Sequence, residues 1–97
     1  MTLKTFAPSG ADTVLLAAGV ASARVQLDPN SSVTRVVNDG ASTAFLHFGD
    51  VNVVSTLTKM PIKAGATESF TSGSSSYVAA ITASGTTNLY FTNGEGL

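Results

Sequence analysis

Residues 77–92 read YVAAITASGTTNLYFT, in which two runs of apolar, β-branched and aromatic residues flank a Ser84-Gly85 pair. Such runs favour β-strands, and the pair between them tolerates the backbone angles of a tight turn. Similar runs recur along the chain at a spacing of roughly 8 to 12 residues, separated by clusters of Gly, Pro, Asn, Asp and Ser, which is typical of sandwiches and barrels. The sequence therefore predicts an all-β fold, a small antiparallel β-sandwich.

The same reasoning predicts nine short strands along the 97 residues, at 2–6, 13–17, 20–27, 33–38, 43–48, 51–57, 66–70, 77–83 and 87–92. A Met60-Pro61 turn falls between two of them. Residues 12–24 are rich in Leu and Ala, but Gly19 interrupts a helix, so we interpret this stretch as strand, kink, strand. No repeat or linker divides the chain. We therefore expect one domain over residues 1–97, with residues 93–97 as a short C-terminal tail.

Alternation assigns side chains to faces, since successive residues of a strand point to opposite sides. Several strands are apolar on both faces, whereas a sheet with one wet face should alternate between apolar and polar residues. Phe45, Val78 and Tyr90 fall on the nominally outer faces, and His47 shares a strand with Phe45. Loops or a neighbouring subunit could cover these faces, and we favour a subunit because large exposed apolar patches usually mark interaction sites. The predicted interface residues are Phe45, His47, Val78 and Tyr90.

Composition excludes several classes of partner. Charged residues are 11% of the chain, against about 25% in a typical domain, and the net charge is -1. The five basic residues are scattered, so the sequence lacks the basic stripe that nucleic-acid binding requires. No apolar stretch approaches the roughly 20 residues that cross a bilayer, and the first residues lack the apolar segment of a secretory signal. We expect no nucleic-acid or membrane partner and no membrane translocation.

The residues that enzymes and metal sites need are scarce. The chain has no cysteine and a single histidine, His47, whereas zinc requires three or four converging ligands. Most acidic residues lie in turn contexts, such as Asp28 before Pro29 and Asp50 after Gly49, where Asp bonds to neighbouring backbone. Neither a serine-hydrolase elbow nor a phosphate-binding glycine loop occurs. We predict a protein that is not an enzyme, with no catalytic residue, no cofactor and no metal.

Several segments resemble a group of short proteins from tailed-bacteriophage and prophage genomes: RVVNDG at 35–40, AFLHFG at 44–49, PIKAG at 61–65, AAITASGTTNLY at 79–90 and GEG at 94–96. Such proteins are similar to small jelly-roll or sandwich proteins that decorate or cement capsids, often as trimers over the junctions between major capsid proteins. The resemblance implies a decoration protein on the capsid surface of the virion, made in the host cytoplasm. Its implied partners are the major capsid protein and further copies of itself. The motifs carry no binding-residue signature.

Other functions stay open as alternatives. A head-tail or tail accessory protein, or a fibre-like module, would use the same fold at low copy number. A carbohydrate-binding sandwich would use Tyr77 and Tyr90 as stacking platforms, although the chain has no Trp and few aromatic residues. An enzyme would need converging carboxylates, which the sequence does not indicate.

Overall fold

The computed structural model describes residues 6–10, 13–28, 31–73 and 75–95, which form nine strands and no helix. The strands are β1 (Ala7–Pro8), β2 (Val14–Ala18), β3 (Ala23–Gln26), β4 (Val33–Asn38), β5 (Ala44–Gly49), β6 (Met60–Ile62), β7 (Thr67–Thr71), β8 (Tyr77–Thr82) and β9 (Thr87–Glu95). Every strand pairing is antiparallel, and the strands divide into two sheets. The predicted β-sandwich is confirmed.

The order of the strands identifies the type of sandwich. The first sheet runs β2-β9-β4-β7, with β1 next to β2 on the same edge of β9, and the second sheet runs β3-β8-β5-β6. When β2 to β9 are lettered B to I, the sheets read B-I-D-G and C-H-E-F, which is the order of a jelly roll. From β2 onward only the β5–β6 connection stays within one sheet. Each sheet is therefore completed by strands from the whole length of the chain.

The inner faces of the two sheets meet in an apolar core. Its buried members are Leu16, Ala18, Leu27, Val36, Ala44, Leu46, Ile62, Val78, Ala80, Leu89 and Phe91. Phe91 is the largest of the fully buried side chains, and it projects from β9, which lies in the middle of the first sheet. Fully burying one side chain of the larger apolar types stabilises the fold by about 1.5–3 kcal/mol. Contact between the two inner faces is therefore the main force that holds the sheets together.

The prediction that Val78 lies at an interface is wrong, because Val78 has no solvent exposure and belongs to the core. It pairs with Val25 of β3 and Phe48 of β5, which both pack against the core. The inward set of β8 therefore contains Val78 and the outward set contains Tyr77. Because β8 is apolar on both faces, alternation alone could not decide which set faces inward.

The predicted strand at 51–57 is also wrong. Residues 50–59, here called the strap, connect β5 to β6 without joining either sheet. The strap begins with a turn in which the Asn52 N–H donates to Asp50 Oδ1 at 2.9 Å and the Val53 N–H donates to the Asp50 carbonyl at 3.0 Å. The expected Met60-Pro61 turn is instead part of β6, where proline is tolerated because β6 is an edge strand.

The N-terminal predictions have mixed outcomes. The strand predicted at 2–6 lies outside the described residues except for Phe6, which precedes β1 and is not itself in a strand. From residue 13 onward the strand, kink, strand interpretation is confirmed, since β2 and β3 are separated by irregular residues 19–22. Among the described residues, the first strand is the two-residue β1.

Asn38, at the end of β4, is a fully buried polar residue that joins four parts of the chain. Its Nδ2 donates to the Ser42 carbonyl at 2.9 Å, in the β4–β5 connection, and to the Ile62 carbonyl of β6 at 3.0 Å. Its Oδ1 accepts from Thr87 Oγ1 of β9 at 2.5 Å and from the Gly40 N–H at 3.2 Å. The side chain therefore links the first sheet to the second at one end of the sandwich.

The expected C-terminal tail is wrong for residues 93–95, which continue β9; residues 96–97 lie outside the described part of the chain. Asn93 is only 3% exposed, accepts from the Asp28 N–H at 3.0 Å and donates to Thr34 Oγ1 at 2.9 Å. Gly94 pairs with β1, and a Cβ at Gly94 would collide with the Ala7 carbonyl. The absence of a side chain at Gly94 therefore lets β1 approach β9 closely.

Replacing Asn38 with Ala should lower the free energy of unfolding by about 2–4 kcal/mol, because it removes the buried hydrogen bonds to the Thr87 hydroxyl and the Ile62 carbonyl. Urea unfolding at neutral pH measures the change. Asn88→Ala is the matched control, since Asn88 is an exposed asparagine in β9, and it should change stability by less than about 0.5 kcal/mol. Equal effects of the two substitutions would contradict the linking role of Asn38.

Glu95, which ends β9, should make stability fall at acid pH. The pKa of its carboxyl is lowered from its ordinary value of 4.5, mainly by the hydrogen bond from the Ser32 hydroxyl and then by that from the Ser32 N–H, at 2.9 Å. A lowered pKa in the folded state gives stability that is present above the unfolded-state pKa and is lost as pH falls through the folded-state pKa.

The midpoint of urea unfolding, measured from pH 6 down through the pH range below 4.5, should therefore fall less for Glu95→Gln than for the wild type. Glu68→Gln provides the control, because Glu68 is an exposed acid of β7 and its side chain makes no hydrogen bond to any residue that the structure describes. A wild-type acid profile in Glu95→Gln would show that the Ser32 contact does not stabilise the fold.

Candidate interaction surfaces

The strap lies across the outer face of the second sheet. At Ser55 the N–H donates to Ser22 Oγ at 2.9 Å, just before β3, and Oγ donates to the Phe45 carbonyl of β5 at 2.7 Å. Because β8 lies between β3 and β5, the strap must pass over β8. Ala79 of β8 agrees with this path, since it belongs to the outward set of its strand and yet has no solvent exposure.

His47 provides a further attachment for the strap. Its Nδ1 lies 2.9 Å from the Val54 carbonyl, and because a carbonyl oxygen only accepts, Nδ1 carries the proton of this hydrogen bond. The imidazole is half-buried on the outer face of β5, opposite Ala79. His47 is therefore engaged in holding the strap.

Phe45 and His47 lie on the outer face of the second sheet, as the alternation of β5 predicts. Both are half-buried, and the chain's own strap provides part of the cover. Of the two explanations for apolar outer faces, loop cover therefore accounts for this part of the second sheet. Loop cover does not account for the apolar side chains that the strap itself exposes to solvent.

The strap carries apolar side chains of its own into solvent. Val53 points inward and is 7% exposed, whereas Val51, Val54 and Leu57 are 49%, 55% and 50% exposed. Met60, at the start of β6, is 39% exposed and continues this set. We call these four exposed residues, Val51, Val54, Leu57 and Met60, the strap ridge. The four ridge residues recur at every third position, which the alternation of a strand does not pick out, so sequence analysis missed the ridge.

Tyr90 lies on the outer face of the first sheet, where alternation places it. It stands directly opposite Leu15 of β2 on one side and Val37 of β4 on the other. Leu15 is 51% exposed, and Tyr90 and Val37 are half-buried. These three side chains form an apolar row across three neighbouring strands. Sequence analysis found Tyr90 but missed Leu15, because only the strand register shows that they are neighbours.

Polar groups border the apolar row on one side. Thr13 and Thr92 share a hydrogen bond of 2.8 Å between their hydroxyls. The Arg35 guanidinium lies over the Phe6 ring at 4.5 Å from its centroid, a cation–π contact, and Arg35 Nε donates to Ser69 Oγ at 3.4 Å. Arg35, two residues before Val37 in β4, is therefore held against other groups of the same chain.

Three of the acidic residues make local contacts with their own chain. Asp50 caps the turn of the strap, Asp28 accepts from Ser31 Oγ at 3.0 Å and Glu95 binds Ser32. Among the described residues, no three His, Cys, Asp or Glu side chains come close enough to hold a metal ion. Within the same residues no helix is long and apolar enough to span a membrane.

No protein-family model, no curated protein and no solved structure matches the chain. The apolar row and the strap ridge are therefore the structural features that bear on function.

Replacing Ser55 with Ala should loosen the strap and lower the free energy of unfolding by about 1–3 kcal/mol, because the Phe45 carbonyl loses its hydroxyl donor. Urea unfolding gives the free energy, and limited proteolysis reports opening of the strap through faster cleavage between residues 50 and 59. Asn52→Ala, an exposed change in the same segment, should stay within about 0.5 kcal/mol of the wild type. Unchanged stability and unchanged cleavage in Ser55→Ala would contradict the attachment.

Proposed function

We propose that the chain is a structural protein of a tailed-phage particle, a capsid decoration protein that binds the lattice of major capsid proteins and stabilises the head. The observation that carries this proposal is the apolar row on an open sheet face together with the strap ridge on the opposite outer face. A protein with an adhesive surface on each side can contact a neighbouring copy and a shell at once. We assign the chain to a phage particle because its sequence segments resemble short phage proteins.

The low charge supports an interface role for these surfaces. Removing a charged group from water is costly unless it is paired, whereas burying apolar surface is favourable. Leu15, Tyr90 and Val37 carry no charge, and the nearby Arg35 already has partners in its own chain. Association through the row therefore carries little electrostatic cost.

In a repeated lattice, weak individual contacts are enough to hold a protein on a shell. Within an array, each new contact forms from a protein that is already tethered, so its effective concentration is high. A decoration protein bound through two modest apolar surfaces would stay on a shell although each contact alone is weak. Threefold symmetry belongs to this proposal through the resemblance alone.

Two charge insertions test the surfaces. Leu15→Asp places a charge in the apolar row and Val54→Asp places one in the strap ridge, and both residues are about half exposed, so the isolated fold should survive. We expect the variant whose surface binds a neighbouring copy to weaken self-association at least about tenfold in sedimentation equilibrium. We expect the variant whose surface binds the shell to lower the amount of protein on purified particles. Both effects follow because an unpaired charge in an interface is strongly unfavourable.

Val20→Asp and Asn52→Asp are the matched controls, because Val20 is 65% exposed outside the row and Asn52 is an exposed strap residue outside the ridge. Both controls should behave as the wild type. Wild-type association and occupancy in both Leu15→Asp and Val54→Asp would contradict the proposal, as would the absence of the chain from purified particles. A copy number of only a few per particle would favour a tail accessory protein instead.

A further inference from the structure

An open depression of about 330 Å³ lies beside Phe45, and none of its lining residues belongs to the strap ridge. Its two walls are the β4–β5 connection and the β8–β9 turn. The lining residues are Ala41, Ser42, Thr43, Phe45, Ala83 and Ser84. This volume is at the lower end of the range of roughly 300–1,000 Å³ that small-molecule sites occupy.

Both walls are held in place by side-chain hydrogen bonds. The Ser42 carbonyl accepts from Asn38 Nδ2 at 2.9 Å, which fixes the β4–β5 connection. The Gly85 carbonyl accepts from Thr82 Oγ1 at 2.7 Å, and Gly85 has the positive φ of 70° that this turn requires. The shape of the depression is therefore set before any ligand arrives, which lowers the cost of binding.

The depression offers hydroxyl groups that the chain itself does not use. The side-chain hydroxyls of Ser42, Thr43 and Ser84 make no hydrogen bond to any residue within the described ranges. By contrast, the hydroxyls of Thr82 and Thr87, a few residues from Ser84, are bonded within the fold. The depression is therefore lined by three hydroxyl groups that make no hydrogen bond to the described residues, while the hydroxyls of Thr82 and Thr87 near it are bonded within the fold.

Phe45 is the aromatic residue among those that line the depression. Its backbone is paired with Ile81 of β8 and Pro61 of β6, and its side chain is half-buried on the outer face of the sheet. The face of an aromatic ring carries partial negative charge and attracts the weakly positive hydrogens of C–H groups. None of the lining residues is charged, so the site favours a neutral ligand.

We infer that this depression binds the pyranose ring of a neutral sugar. A pyranose has a flat C–H face that can stack on Phe45 and hydroxyls around its rim that can pair with Ser42, Thr43 and Ser84. The open shape limits a single site to millimolar affinity. The inference does not depend on the proposed particle role, since it concerns one isolated chain, although many copies on a particle would multiply weak sugar contacts.

The binding test uses the purified wild-type chain and three probes, the methyl glycosides of D-glucose, D-galactose and N-acetyl-D-glucosamine, followed by ¹H–¹⁵N correlation NMR up to tens of millimolar. At least one glycoside should shift the amide signals of Thr43, Phe45 and Ser84 with a saturable curve. Absence of saturable shifts with all three, or shifts centred elsewhere, overturns the inference. Either result leaves the particle experiments unaffected, so the two proposals fail separately.

Substitutions then test the stacking ring. Phe45→Ala should weaken binding at least about tenfold, whereas Phe45→Tyr, which keeps the ring, should bind within about threefold of the wild type. Tyr77→Ala is the matched control, because Tyr77 is a half-buried aromatic residue of the same outer face that does not line the depression. Wild-type affinity in Phe45→Ala, or equal loss in Tyr77→Ala, overturns the inference.

Ala83→Leu guards against a folding defect in Phe45→Ala. Ala83 is exposed in the β8–β9 turn, and a larger side chain without an aromatic face would obstruct the depression there without entering the core. This variant should keep the wild-type urea midpoint and lose glycoside binding. Retained binding in a folded Ala83→Leu protein would place the sugar elsewhere and overturn the inference.

Discussion

The pairing of β9 with three other strands is the constraint on which the rest of the structure depends. β1 and β2 occupy one edge of β9 and β4 the other, so its register is fixed from both sides. That register puts Leu89 and Phe91 in the core and Tyr90 on the outer face. A slip of one residue would exchange the two sets. The core and the apolar row are thus two consequences of the same backbone pairing.

Regular strands were predictable where local pattern and tertiary pairing agree. β4 has the predicted bounds, and β5, β7 and β8 agree to within a residue at each end. The segment at 51–57 failed because β-branched residues favour extended backbone but cannot reveal whether a pairing partner exists. The hydrogen bonds of Ser55 lead across the sheet, so an extended segment became the strap. Val78 failed because both faces of β8 are apolar, and only its position opposite Val25 and Phe48 identifies the inner one.

The candidate surfaces also divide into features that the pattern of one strand predicts and features that only the three-dimensional structure shows. Phe45, His47 and Tyr90 were found on outer faces because alternation within a single strand is enough to place them. The remaining features depend on how distant segments meet, as when strand register brings Leu15 beside Tyr90 or two turns form the depression. The strap also gives the two outer faces different characters. The first sheet presents the open apolar row, whereas the second is partly covered and carries the strap ridge and the depression.

We propose that the outer faces of this sandwich are interfaces within a phage head. A cryo-EM map of the phage particle whose genome encodes the chain is the decisive test. We expect density for many copies on the capsid surface, with Leu15, Tyr90 and Val37 buried against a neighbouring copy or the shell, or the strap ridge buried in the same way. A particle without the chain, or copies whose two outer faces both stand in solvent, would contradict it.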